Sequence, residues 1–164
     1  MRGVLIWLLG VVALFAAEHN ATLANVKVER VTLDPVYMLP VQKYPKFQAK
    51  IELSNGQTVL FCCPKAMFDF YLRPFNYPEY HVKEEKDFKK LWVKDYLSGK
   101  WIDAKKALYI FGSKLPGPKG DDLIPVRNKD VANIFMLKFG GSRILTFDEV
   151  VHKGLGLIKY LDMP

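Results

Sequence analysis

DYLSGKWIDAKKALYIFGSKLPGPKG, residues 95–120, is the stretch of this chain that decides its fold. The apolar run at 107–111 is typical of a buried strand, and the Gly- and Pro-rich residues after it are typical of a loop. Gly117 and Gly120 permit positive φ, and the proline between them stiffens the turn. The stretch therefore predicts a strand followed by a constrained loop that presents one side chain, Lys119.

Upstream of this stretch the pattern predicts two strands, a helix and a third strand. Alternating apolar and polar residues over 47–53, and a second run over 57–61, indicate strands, and the Asn-Gly pair between them is a hairpin signal. Pro64 suits the first position of a helix and is followed by a broad apolar face. A further strand is expected around 90–96.

The residues downstream repeat this order. The strand at 107–111 is followed by a strand at 123–126, then by a helix that Asn128 can cap. A Gly-Gly pair ends that helix, and 143–147 forms the closing strand. The order strand–strand–helix–strand therefore occurs twice.

This repeated order predicts an α+β fold of two ββαβ units packed together, with the helices covering small mixed sheets. The first unit is expected at 34–104 and the second at 105–150. A C-terminal tail is expected at 151–164, and a flexible leader at 18–33 precedes the first unit.

The N-terminus has the pattern of a secretory signal peptide. Met1-Arg2 is followed by an uncharged apolar run that ends in small residues at Ala17. This run is shorter than the roughly 20 residues that span a bilayer. We therefore expect an exported, periplasmic protein with a signal peptide at 1–17, extending to 24 if cleavage falls later. Retention of the segment as a short membrane anchor stays open.

The chain is basic, with 24 Lys and Arg against 17 Asp and Glu and a net charge of +7. Removal of residues 1–17 leaves 23 basic residues and a net charge of +6. Such an excess favours nucleic acid, an anionic membrane or an acidic protein as partner. Basic and acidic residues alternate in places, as in KEEKD at 83–87. For an exported chain we expect no nucleic-acid partner, and membrane contact only if the N-terminal segment is retained.

Several residues of the opening stretch match the signature of the NosL family. The matching residues are Asp95-Tyr96, Trp101-Ile102-Asp103-Ala104, Ala107, Gly112-Ser113, Gly117-Pro118 and Gly120. The chain thus resembles periplasmic copper-binding proteins that help mature nitrous oxide reductase, an enzyme of denitrification. The resemblance covers about residues 34–150. It implies the same pair of ββαβ units and a role as a copper chaperone.

The sequence departs from the family where the family holds copper. The motif that usually reads Gly-Pro-Met-Gly, whose Met is implicated in holding Cu(I), has Lys119 at the Met position, and a protonated ammonium cannot ligate a metal. The family's N-terminal Cys-Pro-x-Cys-Gly-Met pattern falls on Asp34, Tyr37 and Leu39. Met38, one residue away, would supply one thioether after a small change of register.

Soft donors elsewhere offer replacement ligands for Cu(I), which prefers thiolates and thioethers and accepts imidazole. Cys62 and Cys63 stand at the predicted start of the first helix, and Met67 follows Cys63 by one helical turn. His81 lies in the loop after that helix and could reach the site. The candidate metal ligands are therefore Cys62, Cys63, Met67, Met38 and His81.

Other interpretations of these residues stay open. The two cysteines could be small buried apolar residues or could close a strained vicinal disulfide, and Met67 could belong to the core. Strand alternation could also send the two thiols to opposite faces. Lys119 is either a solvated turn residue or a contact to an acidic partner surface.

Two functions follow from these patterns. The first is a copper-binding chaperone for nitrous oxide reductase with atypical ligands, whose partner is a periplasmic protein such as that enzyme or its assembly factors. The second is a metal-free binding module that kept the fold and acts through protein contacts in the same pathway. Common enzyme motifs such as G-x-S-x-G, H-E-x-x-H and the P-loop are absent, so we expect no enzyme. A weaker third idea, a thiol enzyme, would need an acid or base beside Cys62 and Cys63.

Overall fold

The computed structural model describes residues 31–163. The predicted signal peptide at 1–17, or up to 24, lies outside the described residues. So does most of the predicted leader at 18–33. Over residues 31–163, every helix is too short or too polar to cross a membrane.

The first sheet has four strands in the order β2-β1-β3-β4. Alternate side chains of a strand point to opposite faces, so every second residue of β1 is buried beneath helix α1 while the others face outward. The fourth strand, only three residues long, was not predicted. The elements are β1 (Ala49–Leu53), β2 (Thr58–Phe61), α1 (Pro64–Leu72), β3 (Phe88–Lys94) and β4 (Trp101–Asp103).

The second sheet has three strands in the order β6-β5-β7. The Asn128 side chain caps α2 by accepting a hydrogen bond from the backbone N–H of Val131 at 3.0 Å, as the sequence predicted. The elements are β5 (Leu108–Phe111), β6 (Ile124–Val126), α2 (Lys129–Phe139) and β7 (Arg143–Thr146).

The predicted α+β class with two strand–strand–helix–strand units is confirmed. All strand pairs of the two sheets are antiparallel. The prediction of mixed sheets was therefore wrong. Neighbouring strands that follow one another closely, such as β1 and β2, form hairpins, and hairpins are antiparallel.

One aromatic side chain joins the two sheets. The ring of Phe68, fully buried on α1, lies 5.1 Å from the ring of Tyr109 on β5 and 5.2 Å from the ring of Phe147. Tyr109 donates a hydrogen bond from its hydroxyl to the carbonyl of Ala104 at 2.7 Å, so its polar atom is satisfied in the core. The cluster of buried residues around Phe68 therefore spans both units, and a second, smaller cluster lies around Phe135.

The C-terminal residues form a helix, α3 (Phe147–Leu161), not the tail predicted at 151–164. Thr146 and Glu149 cap its start reciprocally, and the helix is broken at Gly154, where φ is 57°. Val150 and Ile158, on either side of this break, are both buried. Packing of these residues outweighs the low helix propensity of the glycines, and a local pattern cannot show that packing.

Candidate functional site

Cys62 and Cys63 lie at the start of α1, and both are fully buried. Cys63 is the residue before the first helical turn and has an extended backbone, and Pro64 begins the helix as predicted. Both cysteines are free thiols, so the vicinal disulfide is not formed. The chain thus carries two adjacent reduced thiols within its core.

Asp34 is a fully buried carboxylate next to Cys62. Its Oδ1 accepts hydrogen bonds from the backbone N–H groups of Val36 at 2.8 Å and Tyr37 at 2.7 Å. Its Oδ2 accepts from the N–H of Cys62 at 2.9 Å. Burial raises the pKa of Asp34, and these N–H donors oppose the rise. The Asp34 carboxylate is therefore a hydrogen-bonded link between the N-terminal segment and the start of α1.

Lys65 is a second buried charge at this site, with no exposed side-chain surface. Its ammonium donates to the carbonyl of Lys119 at 2.8 Å and to the carbonyl of Leu161 at 3.0 Å, and it lies 2.9 Å from the carboxylate of Asp162. The same nitrogen lies 5.5 Å from the ring centroid of Tyr37. Three donors thus meet three acceptors, so the charge is fully satisfied.

Tyr37 closes this cluster from the N-terminal side. Its hydroxyl donates to the carboxylate of Asp162 at 3.0 Å. Burial, reinforced by the charge of Asp162, raises the pKa of Tyr37 well above its usual value. The hydroxyl therefore stays a donor, and Lys65, Tyr37 and Asp162 hold the end of α3 against the N-terminal segment.

Asp122 is buried on the other side of Cys63. Its Oδ1 accepts from the N–H groups of Lys65 at 3.0 Å and Leu123 at 2.8 Å, whereas its Oδ2 has no hydrogen-bond partner among the described residues. Burial raises the pKa of Asp122 to about 6, although the Cys63 thiol, the charge of Lys65 and these backbone donors lower it. Ionisation of this carboxylate at neutral pH therefore costs free energy in the folded chain.

The thiol of Cys63 is protonated at neutral pH. Burial, contact with the Cys62 thiol and the charge of Asp122 together raise the pKa of Cys63 well above its usual value. The positive end of a helix dipole would by itself lower the pKa of a thiol at the start of a helix. Desolvation outweighs the dipole here.

The predicted ligands divide into two groups. Cys62, Cys63 and Met67 are all fully buried in one core cluster, and the N–H of Met67 donates to the carbonyl of Cys63 at 3.2 Å. Met38 is 62 % exposed, and His81 is exposed in a pocket with Leu53 and Lys83. Between residues 31 and 163, no group of three or more His, Cys, Asp or Glu is arranged to hold a metal ion.

Lys119 has an exposed side chain, but its carbonyl oxygen binds Lys65. Neither Lys65 nor Asp122 was predicted from the sequence as part of this site. One signal was present. Apart from Lys65 and Asp69, the residues of α1 are apolar, and a helix with apolar residues on nearly every side is buried. A charge within such a helix requires partners.

A pH-dependent stability follows from Asp122. Its folded-state pKa of about 6 lies above the ordinary 3.8, so the folded chain binds the proton more tightly and stability rises as pH falls through this window. Asp122→Asn removes the titration. From pH 7 to pH 5, the free energy of unfolding of wild type should therefore rise by about 1 kcal/mol relative to that of the variant.

Urea unfolding at both pH values measures this shift. Asp121→Asn, at the exposed neighbouring carboxylate, is the matched control and should show a much smaller one. A constant difference between wild type and Asp122→Asn across the two pH values would contradict the assignment.

The signature residues support the geometry around this site. Gly117 packs so closely on Asp122 that an added Cβ would lie 2.7 Å from the Asp122 Cβ. The N–H of Gly117 donates to the carbonyl of Gly120 at 2.6 Å, which closes the loop. Asp95, also fully buried, accepts hydrogen bonds from Ser98 and Arg127. Gly117 thus holds its loop against Asp122, whereas Asp95 fixes the turn after β3 to the end of β6.

Comparison with known proteins places the chain in a family. The family model for NosL matches residues 25–155, which is most of the chain. This protein belongs to the NosL family. The predicted resemblance is therefore confirmed, and family membership also supports the prediction that the chain is not an enzyme.

A solved structure has the same fold. The crystal structure of the copper chaperone NosL from Shewanella denitrificans matches with a TM-score of 0.62 and 20 % sequence identity, covering 75 % of this chain and 92 % of that one. No curated protein matches this chain. The match to the solved structure establishes a shared fold.

Proposed function

We propose that this protein is an exported, NosL-like accessory protein that carries Cu(I) as cargo in the maturation of nitrous oxide reductase, and that it holds the metal with the thiols of Cys62 and Cys63. Family membership supports the accessory role. The observation that carries the proposal is the pair of free thiols in contact with each other at the start of α1. Two thiolates suit a soft monovalent ion.

The environment of the thiols determines how they would take up copper. Cys63 starts as a protonated thiol, so metal binding has to displace its proton, and affinity should rise with pH. Met67 stands one turn away in the same buried cluster and is the third soft donor. Because all three side chains are buried, uptake also requires a local opening of the structure.

An anaerobic titration with a Cu(I) chelator as competitor tests the proposal. We expect one Cu(I) per chain, with retention lost in Cys62→Ala and in Cys63→Ala. The apparent affinity should rise by about tenfold per pH unit for each proton displaced. Met38→Leu and His81→Ala, which alter exposed residues, should retain copper like wild type. Circular dichroism confirms that each variant is folded.

Unchanged retention in the double variant Cys62→Ala/Cys63→Ala would refute the thiol site. Loss in His81→Ala or Met38→Leu would move the site to the exposed residues. Met136→Leu, in α2, is a control for the loss of a thioether away from the thiols.

A second candidate function is the metal-free binding module. Two observations favour it. The buried ammonium of Lys65 donates a hydrogen bond to the loop that carries a Met in the family. The Asp34 carboxylate accepts a hydrogen bond from the backbone of Cys62 and so holds two segments of the chain together. In this case the exposed side chain of Lys119 would contact an acidic surface of a periplasmic partner, such as nitrous oxide reductase or one of its assembly factors. The absence of Cu(I) retention, together with capture of such a partner that Lys119→Glu weakens, would establish this function instead.

A further inference from the structure

The outer face of the first sheet carries tryptophan and lysine side chains in adjacent strands. Ala49, Ile51 and Leu53 of β1 are buried beneath α1, so Lys50 and Glu52 between them point to the opposite face. The strand register places Lys50 beside Trp92, and Lys94 beside Trp101. We call this surface the Trp–Lys face; it comprises Lys50, Glu52, Lys89, Lys90, Trp92, Lys94, Trp101 and Asp103.

The ammonium groups of Lys50 and Lys94 lie over the tryptophan rings of this face. The Nζ of Lys50 lies 5.6 Å from the ring centroid of Trp92 and 5.4 Å from that of Trp101. The Nζ of Lys94 lies 4.4 Å from the ring of Trp101. Trp92 is fixed in turn, because its indole N–H donates to Glu52 at 2.9 Å. Cations placed in advance lose less conformational entropy when they meet an anion.

A β-bulge adds further lysines at one end of the face. The register between β1 and β3 shifts between Glu52 and Leu53, which pair with Lys90 and Phe88, so Lys89 is the extra residue. A bulge redirects a side chain, and both Lys89 and Lys90 are exposed. Beside them lies a cavity of about 290 Å³, and its lining includes Lys89, Lys90, Lys105, Trp92 and Asp103.

The composition of this face favours a lipid surface over a protein. Four lysines stand against two carboxylates, a net charge of +2 for the face. Lysine is depleted at protein–protein interfaces. Tryptophan is enriched at membrane–water interfaces, and lysines near an anionic leaflet attract its headgroups. We propose that the Trp–Lys face docks on the surface of an anionic lipid bilayer, with phosphate headgroups meeting the lysines and Trp101, 37 % exposed, reaching the interfacial layer.

Tryptophan fluorescence tests the proposal directly, because Trp92 and Trp101 are the only tryptophans besides Trp7. In the full chain with Trp7→Phe, the signal comes from this face alone. We expect vesicles of phosphatidylglycerol and phosphatidylcholine with brominated acyl chains to quench it. Pure phosphatidylcholine vesicles should not. Added salt should reverse the quenching.

Charge reversal supplies the matched comparison. Lys89→Glu/Lys90→Glu should weaken binding to the anionic vesicles by at least about 25-fold. Lys114→Glu/Lys138→Glu makes the same change of net charge at exposed positions outside the face and should have a much smaller effect. All variants share the N-terminal segment, so a difference between them comes from the face.

Equal loss in the two double variants would overturn the proposal, because binding would then depend only on net charge. Equal quenching by neutral and anionic vesicles would overturn it as well. Soluble polyglutamate is the third arm. A fluorescence response to polyglutamate without a response to anionic vesicles would assign the face to an acidic protein and refute the membrane proposal.

Discussion

Replacing Lys65 with Ala should lower the free energy of unfolding by about 3–5 kcal/mol. The ammonium is fully buried and meets two carbonyl oxygens and the Asp162 carboxylate. Truncation leaves the carbonyls of Lys119 and Leu161 without this donor and also creates a cavity. Urea unfolding followed by circular dichroism measures the loss. Lys106→Ala, at an exposed turn position, should change stability by less than about 0.5 kcal/mol.

A second variant keeps this prediction measurable if Lys65→Ala does not fold. Lys65→Met retains most of the side-chain volume but no donor, so it should lose about 1–3 kcal/mol. A loss below about 1 kcal/mol in Lys65→Ala would contradict the structural role. Lys65 lies two residues after Cys63, and both contact Asp122. We therefore also expect thiol reagents to label native Lys65→Met faster than wild type.

Replacing Asp95 with Ala should cost about 3 kcal/mol. This buried carboxylate accepts hydrogen bonds from the N–H and hydroxyl of Ser98, from the N–H of Arg127 at 3.1 Å and from its guanidinium at 2.9 Å. It thereby joins the turn after β3 to the end of β6. The variant leaves two backbone N–H groups without acceptors, whereas the guanidinium, half exposed, can turn to water.

Chemical denaturation again provides the measurement. Asp121→Ala removes an exposed carboxylate and is the control, with an expected change below about 0.5 kcal/mol. Folded Asp95→Ala should still retain Cu(I) with the wild-type stoichiometry if the proposed thiol site is correct. A normal stability combined with lost copper would mean that this signature residue serves the metal and not the fold.

Most secondary-structure elements could be predicted because each has a local cause. The hairpin before Gln57, the helix that begins at Pro64 and the cap at Asn128 all depend on neighbouring residues, and all are present. β4 was missed because three residues give too short an alternation to recognise. The residues after Val150 were expected as a tail because their helix depends on burial against distant segments.

The candidate site was predictable only in part. The cysteines and Met67 were identified by chemistry and fall in one cluster, while Met38 and His81, chosen by the same chemistry, are exposed elsewhere. The sequence shows which side chains could donate to a metal, whereas the direction in which each side chain points depends on the backbone around it. Both Met38 and His81 have positive φ, at 56° and 57°, which local patterns did not indicate.

The sequence alone determined the family, the order of the elements and the position of two adjacent thiols, because these follow from residue types and short spacings. The tertiary structure decided which charges are buried and what satisfies them. Lys65 meets Asp122 across 57 residues and Leu161 across 96, and Asp34 meets Cys62 across 28. Desolvation depends on all the segments that surround a group. The raised pKa values of Cys63 and Asp122 therefore arise only in the folded chain.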